Sequence, residues 1–202
     1  MVVASVALVA CKKHESEPVA AAPPATVAAK PAADPATFRT QHTLTSSKAS
    51  GSAAGFTVTD GTGQFTIVLP QEPKLQSDMM SQGGVSVWNA QAVMPGGDVD
   101  VQFGAMTVPD GDLPIELSAL DAIPGQLASM VGGTLVKNAP GTLAGMTAQI
   151  FELTTGDKRR LFGWYAKDAA HARVLQINCV GDDVPKTKDA CAAVAATLVV
   201  KP

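Results

Sequence analysis

Phe56-Thr57-Val58-Thr59-Asp60-Gly61-Thr62-Gly63-Gln64-Phe65-Thr66-Ile67-Val68-Leu69-Pro70 is the stretch that decides the fold. Phe65, Ile67 and Leu69 alternate with Gln64, Thr66 and Val68, which puts the first three on one buried face of an extended strand. Asp60-Gly61-Thr62-Gly63 separates this run from Phe56-Thr57-Val58-Thr59 and supplies glycines for positive φ, so the two segments read as a hairpin. Pro70 stops the second strand. A folded region that opens this way builds a sheet, and the punctuation further along agrees with it.

Forward of the hairpin, Val85 to Met94 and Val99 to Val108 read as two longer strands joined around Pro95-Gly96-Gly97. Val85, Val87, Val99, Val101 and Phe103 form period-two rows, and the two strands should pair antiparallel. Asp112 to Val131 is helical, with Leu113, Leu117, Leu120, Leu127 and Val131 recurring at helical intervals. Asp112 with Pro114 and Asp121 with Pro124 provide two starts, which predicts a kinked or split helix ending at Gly132-Gly133. Thr134 to Lys137, Met146 to Leu153, Arg159 to Lys167 and Arg173 to Cys179 follow as strands, the last three as a meander. A helix from about Val184 to Ala196, introduced by Asp182-Asp183 and Pro185, puts Thr187, Cys191, Val194 and Leu198 on one face. The expected class is α+β: an antiparallel β-sheet of about seven to eight strands packed with two main helices over residues 55–202. Those 148 residues can bury about two thirds of their unfolded surface, so no cofactor is needed for folding.

Working back from the hairpin, composition changes. Residues 18–36 hold nine Ala and five Pro among nineteen, with no hydrophobic periodicity, and the prolines forbid a continuous helix. Between Thr37 and Ala54 only Phe38 and Leu44 are bulky, so a disordered Ala/Pro/Ser linker is expected over residues 11–54. As a coil, such a linker reaches roughly 35 Å, and further where proline stiffens it. Met1 to Ala10 read MVVASVALVA, an apolar run of signal-peptide length that ends at Cys11-Lys12-Lys13. Leu8-Val9-Ala10-Cys11 looks like the lipobox of bacterial lipoproteins, in which the cysteine carries the lipid. The cationic region that ordinarily precedes such a core is missing, so residues upstream of Met1 are expected. Lys12, standing where an Asp would favour inner-membrane retention, favours the outer membrane.

The whole chain of 202 residues is 46% hydrophobic, 4% aromatic and 16% charged, with a net charge of -3. Near-neutral charge gives no electrostatic footprint for nucleic acid. No apolar run approaches the roughly 20 residues of a membrane-spanning helix.

Phe65-Thr66-Ile67-Val68-Leu69-Pro70 with Pro73 just beyond, the helix leading into Gly132-Gly133-Thr134-Leu135, Arg159-Arg160-Leu161-Phe162 running into a strand, and the amphipathic C-terminal helix together resemble the PsbP-like superfamily. Bacterial DcrB-like lipoproteins and the PsbP subunit of photosystem II belong to that superfamily. The resemblance covers about Gly55 to Val200, implies a PsbP-like domain there, and brings no catalytic motif with it.

Setting aside the lipidated Cys11 leaves Cys179 and Cys191, an even pair in an oxidising compartment. One ends a strand and the other sits in the last helix, close enough in sequence for a disulfide contributing about 3 kcal/mol. Two separately buried thiols are the alternative. His171, between Ala170 and Ala172, is the one domain histidine that a nucleophilic apparatus could use, and a surface-loop role explains it. Asp98, Asp100, Asp110 and Asp112 cluster near two turns, and Asp110-Gly111-Asp112 faintly resembles a calcium loop without the remaining oxygens. Turn and cap roles account for these aspartates, leaving Asp110 and Asp112 as weak metal candidates. Lys158-Arg159-Arg160 is the compact basic cluster and could meet an anionic partner or simply solvate an edge. Trp164 and Tyr165 must point to opposite faces of their strand, one in the core and the other available for contact.

These residues support a lipid-anchored cell-envelope protein facing the periplasm, with a non-catalytic binding or accessory domain, no cofactor, a membrane contact through the N-terminal lipid and an envelope protein as partner. Lys158, Arg159, Arg160 and Trp164 are the candidate partner-binding residues. The alternative is an extracytoplasmic lipoprotein that binds a small ligand or metal ion.

Overall fold

The computed structural model describes residues 35–50, 55–82, 85–108 and 120–201. Among the described residues eleven strands fall into two antiparallel sheets. The smaller contains β1 (Leu44–Lys48), β2 (Phe56–Asp60), β3 (Phe65–Leu69) and β11 (Val199–Val200), in the order β1-β2-β3-β11. The larger contains β4 (Lys74–Gln82), β5 (Val85–Met94), β6 (Val99–Thr107), β7 (Thr134–Leu143), β8 (Met146–Thr154), β9 (Arg160–Asp168) and β10 (Arg173–Gly181), in the order β4-β5-β6-β10-β9-β8-β7. Helices occupy Pro35–His42, Ile123–Met130 and Val184–Ala195, here the first, middle and C-terminal helices. The class is α+β, with the expected strand number met by the seven-stranded sheet and a second sheet added to it.

The opening hairpin forms as its residues require. Val58 pairs with Ile67 across β2 and β3, and Phe65, Ile67 and Leu69 are buried while Thr66 and Val68 are half-buried. Gly63 takes φ +66°, and its N–H donates to Asp60 O at 3.0 Å. The Asp60 carboxylate accepts from the Thr62 hydroxyl at 2.7 Å and from Gln64 N at 3.1 Å, which locks the turn.

Two clusters of buried side chains lie on opposite faces of the larger sheet. One sandwiches Ala90, Ala92, Val101, Phe103, Leu175 and Ile177 against β2, β3 and the C-terminal helix. The other packs Met106, Leu161, Tyr165 and Val174 against Leu120, Ile123 and Leu127 around the middle helix. β10, central in the sheet, is buried along its whole length.

The middle and C-terminal helices each carry a proline in the first turn. The C-terminal helix is capped by Asp183, whose Oδ1 accepts from Lys186 N at 2.9 Å, and it buries Thr187, Cys191 and Val194. The middle helix has Ala122 at its cap without a side-chain bond, so Asp121 is not its cap. Gly132, at φ +61°, ends that helix. Residues 109–119, on which the first half of the expected long helix falls, lie outside the described residues.

Three elements depart from expectation. The linker expected to reach Ala54 gives way earlier, because the first helix and β1 carry Phe38 and Leu44 into the core. Trp88 Nε1 donates to His42 O at 3.0 Å and fastens that helix to β5. β4 was unforeseen because Lys74, Gln76 and Asp78 give it a polar surface suited to a sheet edge. β7 runs on to Leu143 through Pro140, which is tolerated because an edge strand can leave one side without a donor.

Candidate functional site

The residues nominated by sequence scatter. Cys11, Asp110 and Asp112 lie outside the described residues. Cys179 and Cys191 are joined, with Cα atoms 5.6 Å apart, pinning the C-terminal helix to β10. Lys158 takes φ +70° in the β8–β9 turn, and the two arginines beside it are ion-paired. Arg159 pairs with Asp157 at 3.0 Å and Asp100 at 3.3 Å, and Arg160 pairs with Glu152 at 2.8 Å. Strand pairing brings Glu152 of β8 and Asp100 of β6 close enough to neutralise these cations, with Asp157 in the β8–β9 turn. Trp164 is half-buried against the core that the C-terminal helix covers. Tyr165 faces the other way, fully buried and stacked on Phe151 with centroids 5.3 Å apart. Burial pushes the Tyr165 phenol well above its ordinary pKa, opposed in part by the Asn178 amide beside it.

His171 is not a surface-loop residue. Its Nδ1 lies 2.8 Å from Asp168 Oδ2, and its side chain is 11% exposed. Asp168 also accepts from Arg173 Nε at 2.7 Å, and Arg173 Nη1 donates to Asp60 Oδ2 at 3.1 Å and to Gln64 Oε1 at 3.2 Å. Arg173 is fully buried, with its guanidinium 4.8 Å from the Phe65 ring centroid. The network ties the end of the larger sheet to the β2–β3 turn. His171 and Asp168 have the geometry of a base with its orienting carboxylate, but among the described residues no hydroxyl or thiol hydrogen-bonds to His171. A desolvated guanidinium with two carboxylates is a structural clamp, and removing one partner strands the others.

Two recesses flank the β5–β6 turn. The larger, about 630 Å³, opens between the C-terminal helix and the turn, with walls that include Val68, Met94, Val99, Ala190, Val194 and Thr197. Its rim carries Asp98 and Lys186, which form an exposed ion pair. The Lys186 ammonium holds the Asp98 carboxyl below the usual carboxylate range. Thr197 fixes the helix end to β3, its hydroxyl accepting from Val68 N at 2.9 Å and donating to Val194 O at 2.7 Å. This recess is apolar and of ordinary ligand-pocket size.

The smaller recess, about 200 Å³, lies on the other face of the larger sheet, with Gln76, Gln91, Asp100, Gln102 and Asn178 in its lining. Gln76 Nε2 and Gln102 Nε2 both donate to Gln91 Oε1, at 2.8 and 2.9 Å. Gln102 is 5% exposed and Asn178 3%, and among the described residues neither Gln102 Oε1 nor Asn178 Oδ1 accepts a hydrogen bond. An unsatisfied buried carbonyl costs about 1–3 kcal/mol. Glycine makes the room: a Cβ on Gly163 would stand 2.6 Å from Asn178 Oδ1 and 2.4 Å from Phe151. Sequence reading missed these amides. Their signal is the recurrence of Asn89, Gln91, Gln102, Gln176 and Asn178 at the positions alternating with the apolar rows.

Asp98 and Asp100 have structural partners, Asp100 accepting from Gly96 N and Arg159 at 3.3 Å each. Among the described residues no group of three or more His, Cys, Asp or Glu side chains could hold a metal ion. Among them also, no helix is long and apolar enough to cross a membrane.

No protein-family model matches the chain, and no curated protein matches it in sequence. Among solved structures it is similar to the solution structure of cyanobacterial PsbP (CyanoP) from Synechocystis sp. PCC 6803, with 11% identity and a TM-score of 0.49 over 76% of this chain and 98% of that one. It is also similar to the crystal structure of LpqN, involved in cell envelope biogenesis of Mycobacterium tuberculosis, with 16% identity and a TM-score of 0.46 over 86% of this chain and 100% of that one. At this distance neither likeness assigns a site or an activity to the chain.

Proposed function

We propose that this chain is a lipid-anchored cell-envelope protein of DcrB-like type whose folded domain binds an envelope partner and catalyses no reaction. The observation that carries the binding role is the apolar recess of about 630 Å³ beside the C-terminal helix, held open by a disulfide-pinned frame. Leu8-Val9-Ala10-Cys11 supports the anchor, and the Ala/Pro stretch after it supports reach from a periplasm-facing membrane surface, the outer membrane being favoured by Lys12. A disulfide suits an oxidising compartment. With Arg159 and Arg160 already paired, the apolar recess replaces the basic cluster as the contact surface.

Replacing Cys11 with Ala in the native host and fractionating the cells tests the anchor. Release of the protein from the membrane fraction is expected, and unchanged membrane retention overturns the reading. A photo-crosslinking residue at Ala193, beside the apolar recess, should give an envelope adduct that the same residue at Lys158 does not. Adducts at Lys158 alone would overturn the assignment of the contact surface.

The second reading, binding of a small extracytoplasmic ligand, is favoured by a different observation: a recess of about 200 Å³ lined by the amide side chains of Gln76, Gln91, Gln102 and Asn178.

A further inference from the structure

The apolar recess beside the C-terminal helix has a direction. Lys186, Ala190, Ala193 and Thr197 all line it and follow one another at helical spacing, so one wall of the recess is a single face of that helix, from its first turn to just past its last. At 1.5 Å per residue that wall is about 16 Å long. Met94, Val99, Val101 and Val194 are buried and make the interior aliphatic. Among the described residues its lining holds no aromatic ring.

The two ends of the wall differ. Among the described residues the charged side chains of the lining are Asp98 and Lys186, and they stand together at the start of the helix, beside Gly96 and Gly97 of the β5–β6 turn. At the far end the Thr197 hydroxyl is engaged by Val68 and Val194. Gln71, the remaining polar side chain of the lining, is exposed. A recess with an aliphatic interior and charge at one end matches a single aliphatic chain with a charged head.

The charge at that end specifies the head. The Asp98 side chain is 72% exposed and that of Lys186 55%, so both face the solvent at the mouth. An ion pair this exposed contributes little to stability and exchanges its partners readily. An anionic head would gain Lys186 but meet repulsion from Asp98, and a cationic head would meet the reverse. A head carrying both charges satisfies both, with its phosphate on the Lys186 ammonium and its ammonium on the Asp98 carboxylate.

We propose that this recess binds a single-chain zwitterionic phospholipid, a lysophospholipid, with its acyl chain along the C-terminal helix and its headgroup across Asp98 and Lys186. This rests on the reading of the same recess as the contact surface and names the chemistry of what enters it.

The test uses the full chain carrying Cys11→Ala, so that no attached lipid competes, labelled with 15N and titrated with lauroyl lysophosphatidylethanolamine below its micelle threshold. The backbone amides of Gly97, Ala190 and Ala193 should shift saturably, with a Kd on the order of 10 μM. Shortening the chain from lauroyl to decanoyl should weaken binding roughly tenfold. Laurate, dodecyltrimethylammonium and dodecyl maltoside, with chains of the same length, should all bind more weakly than the lysolipid. Ala193 is exposed, so Ala193→Trp should keep the parent Tm while weakening binding by roughly tenfold or more as the ring fills the recess. Asp98→Lys should reverse the order of heads, placing laurate ahead of the lysolipid. The proposal is overturned if the lysolipid shifts none of the three amides, if any of the other three heads binds as tightly, if Ala193→Trp binds as the parent does, or if Asp98→Lys leaves the order of heads unchanged. If no lysolipid binds while a photo-crosslinker at Ala193 still captures an envelope protein, this inference falls and the contact surface stands; adducts at Lys158 alone remove the surface itself.

Discussion

The two faces of the seven-stranded sheet are built from alternate residues of the same strands, and one of them mixes its apolar cluster with buried amides. On β6, Val101, Phe103 and Ala105 face the smaller sheet, while Gln102 and Gly104 face away; on β10, Leu175 and Ile177 alternate with Gln176 and Asn178. The first face is closed by a second sheet and a helix, and its buried charges, Arg173 with Asp60 and Asp168, are paired with one another. The second buries amides whose oxygens are not all satisfied. The difference teaches that burial and apolar character are separate properties here, one set by what covers a face and the other by what the face must do.

Substitutions can break this comparison. The largest effect is expected at Arg173→Leu, which leaves Asp60 and Asp168 buried without their cation. Stability should fall by about 3–5 kcal/mol in denaturant unfolding, and a small change would show that the clamp is dispensable. Phe103→Ala on the apolar face should cost about 3–5 kcal/mol through the cavity it leaves. Its neighbour, Gln102→Leu on the amide face, should change stability by no more than about 1 kcal/mol, since the orphan carbonyl disappears with the one hydrogen bond. Equal losses at 102 and 103 would erase the distinction between the faces. Reduction of Cys179–Cys191 should lower stability by about 2–3 kcal/mol, read as a drop in Tm with reductant that a Cys179→Ala/Cys191→Ala double variant no longer shows.

The smallest effect concerns pH. Burial, with help from nearby Arg173 and against the attraction of Asp60, holds His42 below its ordinary pKa of 6.5. The unfolded chain therefore takes up a proton before the folded one does. The stability that His42 protects is fully present above pH 6.5 and falls as pH drops below that value toward the folded pKa. His42→Gln should flatten the slope in that interval, as measured by urea midpoints across pH, and an unchanged slope would assign it to other groups.

Much of this was legible from local pattern. The hairpin around Asp60-Gly61-Thr62-Gly63, the β8–β10 meander and the buried face of the C-terminal helix follow from alternation, turn residues and helical spacing, all properties of neighbours in sequence. The first helix was not legible, because Phe38 alone gives no periodicity and what holds that segment is a distant partner, Trp88. β4 was hidden for the related reason that an edge strand need not advertise an apolar row. His171 looked like a loop residue until Asp168 and Arg173 closed around it.

By itself the sequence determined the class of fold, the order of most strands and the two cysteines available for a bridge, because each depends on residue types close along the chain or on simple arithmetic. Only the tertiary structure decided that β11 completes a second sheet beside β3, that Arg173 reaches Asp60 across 113 residues, and that a row of polar amides lies buried. The physical reason is that alternation along a strand states which residues share a face but says nothing about what covers that face. Burial, and with it the site, is settled by elements that meet only once the chain has folded.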